Sequence, residues 1–116
     1  MIKVSVIGLG KMGMQVARKL HEDKFTVIAH NRSREKVDEA KDLGMVSAYT
    51  KEEVLAAFGQ ERAIIWLMIP ALSMEEELDL WLKIIPQNSI LIDGGNSDFR
   101  LTKKELKKYR KVTLSF

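Results

Sequence analysis

Apolar positions change their period repeatedly along the chain, and each change marks the passage between a strand and a helix. Residues 2–7 read as a buried strand. Gly8-Leu9-Gly10-Lys11-Met12-Gly13 follows at once, and apolar residues then recur at Met12, Val16 and Leu20 with helical spacing. Residues 25–29 are a second β-rich run, so residues 2–29 predict a strand-helix-strand unit of the length a right-handed parallel crossover requires. Ser33 stands where it can cap the next helix, Glu35 falls in its first turn, and Gly44 is placed to end it. A short strand over residues 46–49 comes next. Thr50 and Glu53 have the spacing of a capping box ahead of Val54, Leu55 and Phe58, and Gly59 terminates that turn. Residues 63–69 are apolar throughout, as a strand covered by helices on both faces should be. Ser73 and Glu76 repeat the capping-box spacing before a helix that carries Leu78, Leu80, Trp81, Leu82 and Ile85 and is closed by Pro86. Residues 89–92 read as a fifth strand, Thr102 and Glu105 as the start of a further helix, and residues 112–116 as a sixth strand. Six strands alternating with helices predict an α/β fold, a Rossmann-type doubly wound parallel sheet in the order 3-2-1-4-5-6. No internal repeat or low-complexity linker interrupts the pattern.

Composition narrows the function. A chain of 116 residues, 46% hydrophobic, is long enough for one compact domain with its own core, over residues 1–116, and not for two. It contains no cysteine, which removes disulfides, thiol nucleophiles and thiolate metal sites from consideration and leaves the cytoplasm as the expected compartment. No charged leader precedes the first strand, so export is not expected. The longest nonpolar stretch, residues 63–72, contains Pro70 and falls far short of the roughly 20 residues that cross a bilayer. Net charge is +3, but seven of the 19 basic residues lie between Arg100 and Lys111 with Glu105 alone among them, leaving 12 basic against 15 acidic residues elsewhere. That basic segment reads as a solvated helix face in preference to a nucleic-acid surface. Domain boundaries usually fall in exposed linkers, so a chain that stops on a strand reads as part of a longer protein.

The chemistry gathers at strand ends. In a glycine turn between strand and helix, Gly8 permits the tight bend, Gly10 lets a pyrophosphate approach the backbone and Gly13 lets the helix lie close to the sheet, with Leu9, Lys11 and Met12 contributing amides of the helix start. Ala17 keeps the helix-sheet contact close. At the end of the second strand, where NAD enzymes commonly hold the ribose hydroxyl with a carboxylate, the chain has Asn31-Arg32-Ser33. An amide, a guanidinium and a hydroxyl suit a 2′-phosphate, so NADP is expected over NAD. Ile69, Pro70 and Ala71 end the fourth strand and are expected along the cofactor, Pro70 contributing shape because it lacks an amide proton. Asp93-Gly94-Gly95-Asn96-Ser97 is a turn after the fifth strand, with Asn96 the candidate for the reacting end. His21 is expected on an exposed helix face, and neither it nor His30 is assigned to catalysis. Glu75 to Glu77 are explained by the helix dipole, not by a metal, and no metal site is expected. Met12 and Met14 read as packing residues.

Together, Gly8 to Gly13, Asn31-Arg32-Ser33, Leu67-Met68-Ile69-Pro70-Ala71 and Ile92-Asp93-Gly94-Gly95-Asn96-Ser97 resemble the N-terminal NADP-binding domain of decarboxylating 6-phosphogluconate dehydrogenases, within the wider β-hydroxyacid dehydrogenase group. The resemblance covers almost the whole chain, and the Asp-Gly-Gly-Asn-Ser turn is its most specific part. It implies an oxidoreductase of the pentose phosphate pathway that oxidises the 3-hydroxyl of 6-phosphogluconate by hydride transfer to NADP, with loss of carbon dioxide to give ribulose 5-phosphate. It implies that Asn96 touches both cofactor and substrate. The lysine and glutamate that the family uses as base and acid lie beyond the last residue, as does the helical domain that completes the substrate pocket and the homo-oligomer. No catalytic residue is therefore assigned here, and the chain alone is expected to bind NADP without turnover. Leu72 departs from the glycine that often follows Pro-Ala in the family. Two alternatives stand beside this: a domain of another β-hydroxyacid dehydrogenase or imine reductase, and a non-catalytic module binding nucleotide or nucleic acid.

Overall fold

The computed structural model describes residues 2–94 and 112–115. Its strands are β1 (Lys3–Ile7), β2 (Thr26–His30), β3 (Val46–Ala48), β4 (Ile64–Leu67), β5 (Ser89–Asp93) and β6 (Val112–Ser115). The helices between them are α1 (Lys11–Glu22), α2 (Arg34–Asp42), α3 (Lys51–Phe58) and α4 (Ala71–Ile84). All pairings are parallel, and the strand order is β3-β2-β1-β4-β5-β6. The Rossmann-type sheet expected from the alternation is therefore present. The helix expected from Thr102 and Glu105, the basic segment around it and Asn96 lie outside the described residues.

Alternate residues of each strand feed two separate cores, because neighbouring side chains on a strand point to opposite faces. On one face Ile7, Ile28, Ile65 and Leu91 meet Val54 and Phe58 of α3 and Met74, Leu78 and Trp81 of α4. On the other, Val6, Val27 and Ala29 meet Met14 and Ala17 of α1 and Val37 and Ala40 of α2. Trp81 and Phe58 are the bulkiest side chains withdrawn from solvent. Among the described residues no helix is long and apolar enough to cross a membrane.

Several local expectations are corrected. The buried face of α1 is Gly13, Met14 and Ala17, while Val16 and Leu20 are only partly covered and Met12 is 57% exposed. Helix α4 does not start at Ser73: Pro70 is its N-cap, and the Ser73 amide already donates to the Pro70 carbonyl at 2.9 Å. Ser73 thus lies within the first turn, and Glu76 has no cap to complete. With the start at Ala71, the first turn contains no acidic residue, so the dipole does not account for Glu75 to Glu77. Ser33 is the N-cap of α2, but its side chain makes no capping bond. Strand β4 is shorter than the apolar run because Met68 and Ile69 turn out of the ladder once the Met68 amide has met the Ile7 carbonyl at 2.7 Å. Leu80 and Ile84 sit on the exposed side of α4. His21 is half-buried, its ring 3.3 Å from where a side chain at Gly44 would begin.

Candidate functional site

Strand order reverses between β1 and β4, and the connections leave the sheet there in opposite directions, opening a crevice beyond the carboxyl ends of the strands. A cleft of about 590 Å³ occupies it, within the roughly 300–1,000 Å³ common for small-molecule sites. Its first wall is the glycine turn, with Ile7, Gly8, Gly10, Met12 and Gly13 on the lining. Gly8 has φ of 96°, a conformation that side chains resist, and its backbone presses on β4: a Cβ there would stand 2.3 Å from the Met68 carbonyl oxygen. A Cβ on Gly13 would stand 1.9 Å from the Gly8 carbonyl oxygen. Gly10 is different, for nothing lies within 4 Å of its missing Cβ. The turn is thus packed shut on the sheet side and left open at Gly10.

Gly10 is also the N-cap of α1 and has no side chain with which to cap it, and the first turn carries no acidic residue. The opening amides of the helix are free to meet an anion from the cleft, and the helix dipole favours one. A pyrophosphate fits this arrangement. Leu9 takes no part through its side chain, which is fully buried; its amide donates to Asn31 Oδ1 at 2.8 Å. The Gly8 amide donates to the His30 carbonyl at 2.9 Å, so the end of β2 holds the glycine turn at two successive residues.

The end of β2 supplies the second wall through His30, Asn31 and Arg32. Arg32 is exposed on the rim; Ser33 is exposed and off the lining, as is Lys11 at the head of α1. Ile69 and Pro70 line the third wall beside Met68, and Ala71 opens α4 behind them. Gly94 closes the far end after β5; a side chain there would stand 2.0 Å from Trp66 Nε1. Of the predicted site residues, the cleft therefore brings together Gly8, Gly10, Met12, Gly13, Asn31, Arg32, Ile69 and Pro70.

Three lining residues have no counterpart in the sequence reading. Lys51 opens α3, and Ser73 and Glu77 lie one turn apart on α4. The Lys51 ammonium meets the Glu77 carboxylate at 3.1 Å, with both side chains largely covered. Beside them His30 is buried, its Nδ1 donating to the Ala48 carbonyl at 2.9 Å and its ring edge-on to Trp81 at 6.3 Å. Burial holds its imidazole below the usual range, and the nearby Lys51 charge acts in the same direction; the Ala48 bond and the Glu77 and Glu53 carboxylates oppose them.

The site has the features of a dinucleotide cleft, and comparison with known proteins agrees. Residues 3–116 match the family model described as the NAD binding domain of 6-phosphogluconate dehydrogenase. The decarboxylating 6-phosphogluconate dehydrogenase of Haemophilus ducreyi is 32% identical over 117 residues, covering 97% of this chain and 23% of that protein. The human protein of the same name is 31% identical over 104 residues, covering 85% and 22%. The chain thus spans less than a quarter of the length of these relatives. An imine reductase from Bacillus cereus superposes with a TM-score of 0.74 at 26% identity over 98% of this chain and 39% of that one. A prephenate dehydrogenase from A. aeolicus, solved with NAD+, shares the fold with a TM-score of 0.73 at 20% identity, covering 98% and 41%. By the match across its sheet, glycine turn and strand ends, the chain belongs to the family of NAD binding domains of 6-phosphogluconate dehydrogenase.

Proposed function

We propose that the cleft binds NADP, as the nucleotide-binding part of a decarboxylating 6-phosphogluconate dehydrogenase. The observation that carries the NADP preference is Arg32 on the rim at the end of β2, with the neutral Asn31 beside it spent on the Leu9 amide. Among the described lining residues the carboxylate, Glu77, is paired with Lys51, so none of them presents a free carboxylate to repel a 2′-phosphate. In this reading the helix-start amides around Gly10 hold the pyrophosphate, Arg32 and Ser33 take the 2′-phosphate, and Ile69, Pro70 and Ala71 lie along the nicotinamide half. Asn96 touches cofactor and substrate. The bound nicotinamide supplies the hydride acceptor, while the residues of this chain bind and orient it. The full-length enzyme is a cytoplasmic homo-oligomer acting on a sugar phosphate, and these 116 residues bind without turning it over.

Calorimetric titration with NADP and NAD side by side tests the reading. NADP should bind at least tenfold more tightly; equal affinities would remove the role given to Arg32 and Ser33. A second reading, an imine-reducing relative, is favoured by the likeness to the Bacillus cereus imine reductase. Turnover of 6-phosphogluconate against reduction of a cyclic imine by the complete protein separates the two.

A further inference from the structure

The Lys51–Glu77 pair sits at one particular end of the cleft. Lys51 begins the helix that follows β3, and β3 lies beyond β2, on the side of the sheet away from Gly94 and β5. If the dinucleotide runs along the crevice with its pyrophosphate at Gly10, the end bounded by His30, Lys51 and Glu77 receives the base attached to the ribose that Arg32 faces. The pair is partly covered, with side-chain exposures of 24% and 19%, but both members reach the lining. Their mutual contact leaves an ammonium with further N–H groups and a carboxylate with a further oxygen, side by side. The Lys51 ammonium lies 5.5 Å from the centre of the Trp81 ring, which helps to fix it. His30 has its Nδ1 committed to the Ala48 carbonyl and not to the Glu77 carboxylate.

A donor next to an acceptor is the complement of the adenine edge, which carries an amino donor beside a ring-nitrogen acceptor. We propose that Lys51 and Glu77 read the base of the bound dinucleotide and select adenine, Glu77 accepting from the exocyclic amino group and Lys51 donating to the adjacent ring nitrogen. This rests on the cofactor reading above and adds to it a determinant of base identity, separate from the phosphate contacts of Arg32. Hypoxanthine reverses the pattern, presenting a carbonyl oxygen beside a ring N–H, so it meets both charges in the wrong order.

The test is calorimetric titration of the 116-residue chain with NADP and with its hypoxanthine counterpart. The wild type should prefer NADP by about tenfold or more, the worth of a charge-assisted hydrogen bond. In Lys51→Met/Glu77→Met the preference should fall to within about twofold, while the ratio of NADP to NAD affinity stays at its wild-type value. The exchanged variant Lys51→Glu/Glu77→Lys keeps an ion pair between α3 and α4 but swaps donor and acceptor, and should move the preference toward hypoxanthine. A pair that merely braces the two helices predicts otherwise: the exchanged variant would discriminate as the wild type does, and that result overturns the proposal. Equal binding of both dinucleotides by the wild type overturns the base-reading role alone, and failure to bind either overturns the cofactor reading with it.

Discussion

At the scale of single residues, Asn31 and Arg32 are neighbours that the cleft uses in different ways. The Asn31 side chain is turned inward to the Leu9 amide, so it positions the glycine turn, whereas Arg32 stands on the rim. Asn31→Ala leaves that amide without its acceptor, at a cost of about 1–3 kcal/mol, and should weaken NADP and NAD by a similar factor. Arg32→Ala should weaken NADP by about 10- to 100-fold and leave NAD nearly unchanged, since a charged hydrogen bond is worth about 1.5–3 kcal/mol. Parallel titrations of both variants with both nucleotides check this, and an Asn31→Ala loss confined to NADP would contradict the positioning role. The sequence made the glycine turn, the Asn31-Arg32 pair and the Ile69-Pro70 exit legible because each is a short local pattern whose chemistry depends on spacing alone. It did not make Lys51, Ser73 or Glu77 legible. Those residues converge from two helices separated by a strand, and a lysine after a cap or a glutamate in an acidic run looks like ordinary solvated surface. The one available signal was the four-residue spacing of Ser73 and Glu77, which puts them on one face of a helix once its start is known.

At the scale of elements, the caps show where sequence pattern and geometry part. Thr50 and Glu53 form the complete reciprocal box, the Glu53 amide donating to Thr50 Oγ1 at 3.1 Å and the Thr50 amide to Glu53 Oε2 at 3.2 Å. Ser33 occupies a cap without using its hydroxyl, and Ser73 lies inside its helix. Thr50→Ala should therefore cost about 1 kcal/mol, while Ser33→Ala and Ser73→Ala should stay within the roughly 0.5 kcal/mol typical of surface changes. Urea unfolding of the three variants decides it; a loss in Ser73→Ala equal to that in Thr50→Ala would argue for a helix beginning later than Ala71. The capping pattern of serine or threonine three residues before glutamate was met at both Thr50 and Ser73, but at Ser73 the competing signal was Pro70. Its fixed φ prepares a helix start immediately behind it, and its carbonyl receives the Ser73 amide. Element order and sheet order, by contrast, follow from the alternation of apolar periods and from the handedness of parallel crossovers, neither of which depends on boundaries.

At the scale of the whole molecule, both faces of the sheet are covered and the cleft lies at the edge where the two halves diverge, so stability and binding draw on the same strand ends. His30 joins them: its carbonyl accepts from Gly8, its ring lines the cleft beside α3 and α4, and its Nδ1 ties β2 to the end of β3. Its folded imidazole titrates below the ordinary value of 6.5, chiefly because burial penalises the charged ring. Between the folded and unfolded values the unfolded chain binds more protons, so the free energy of unfolding falls as pH drops through 6.5 and levels off once the buried ring itself is protonated. Above that window His30 is neutral in both states and contributes no slope. Urea midpoints measured from pH 7.5 down to pH 5.5 should therefore decline, and His30→Asn, which keeps a donor for the Ala48 carbonyl without a group that charges in this range, should decline less. If the two profiles run parallel, the pH dependence belongs to other groups and the imidazole is not held neutral by its burial. If they diverge, nucleotide binding should hold steady through that window, where the folded ring is still neutral, and weaken only at the lower pH where His30 itself takes up a proton, because a charged His30 must leave its pocket or draw Glu77 away from Lys51. Binding that weakens below the stability window in the wild type, and does not in His30→Asn, would tie the two effects to one residue.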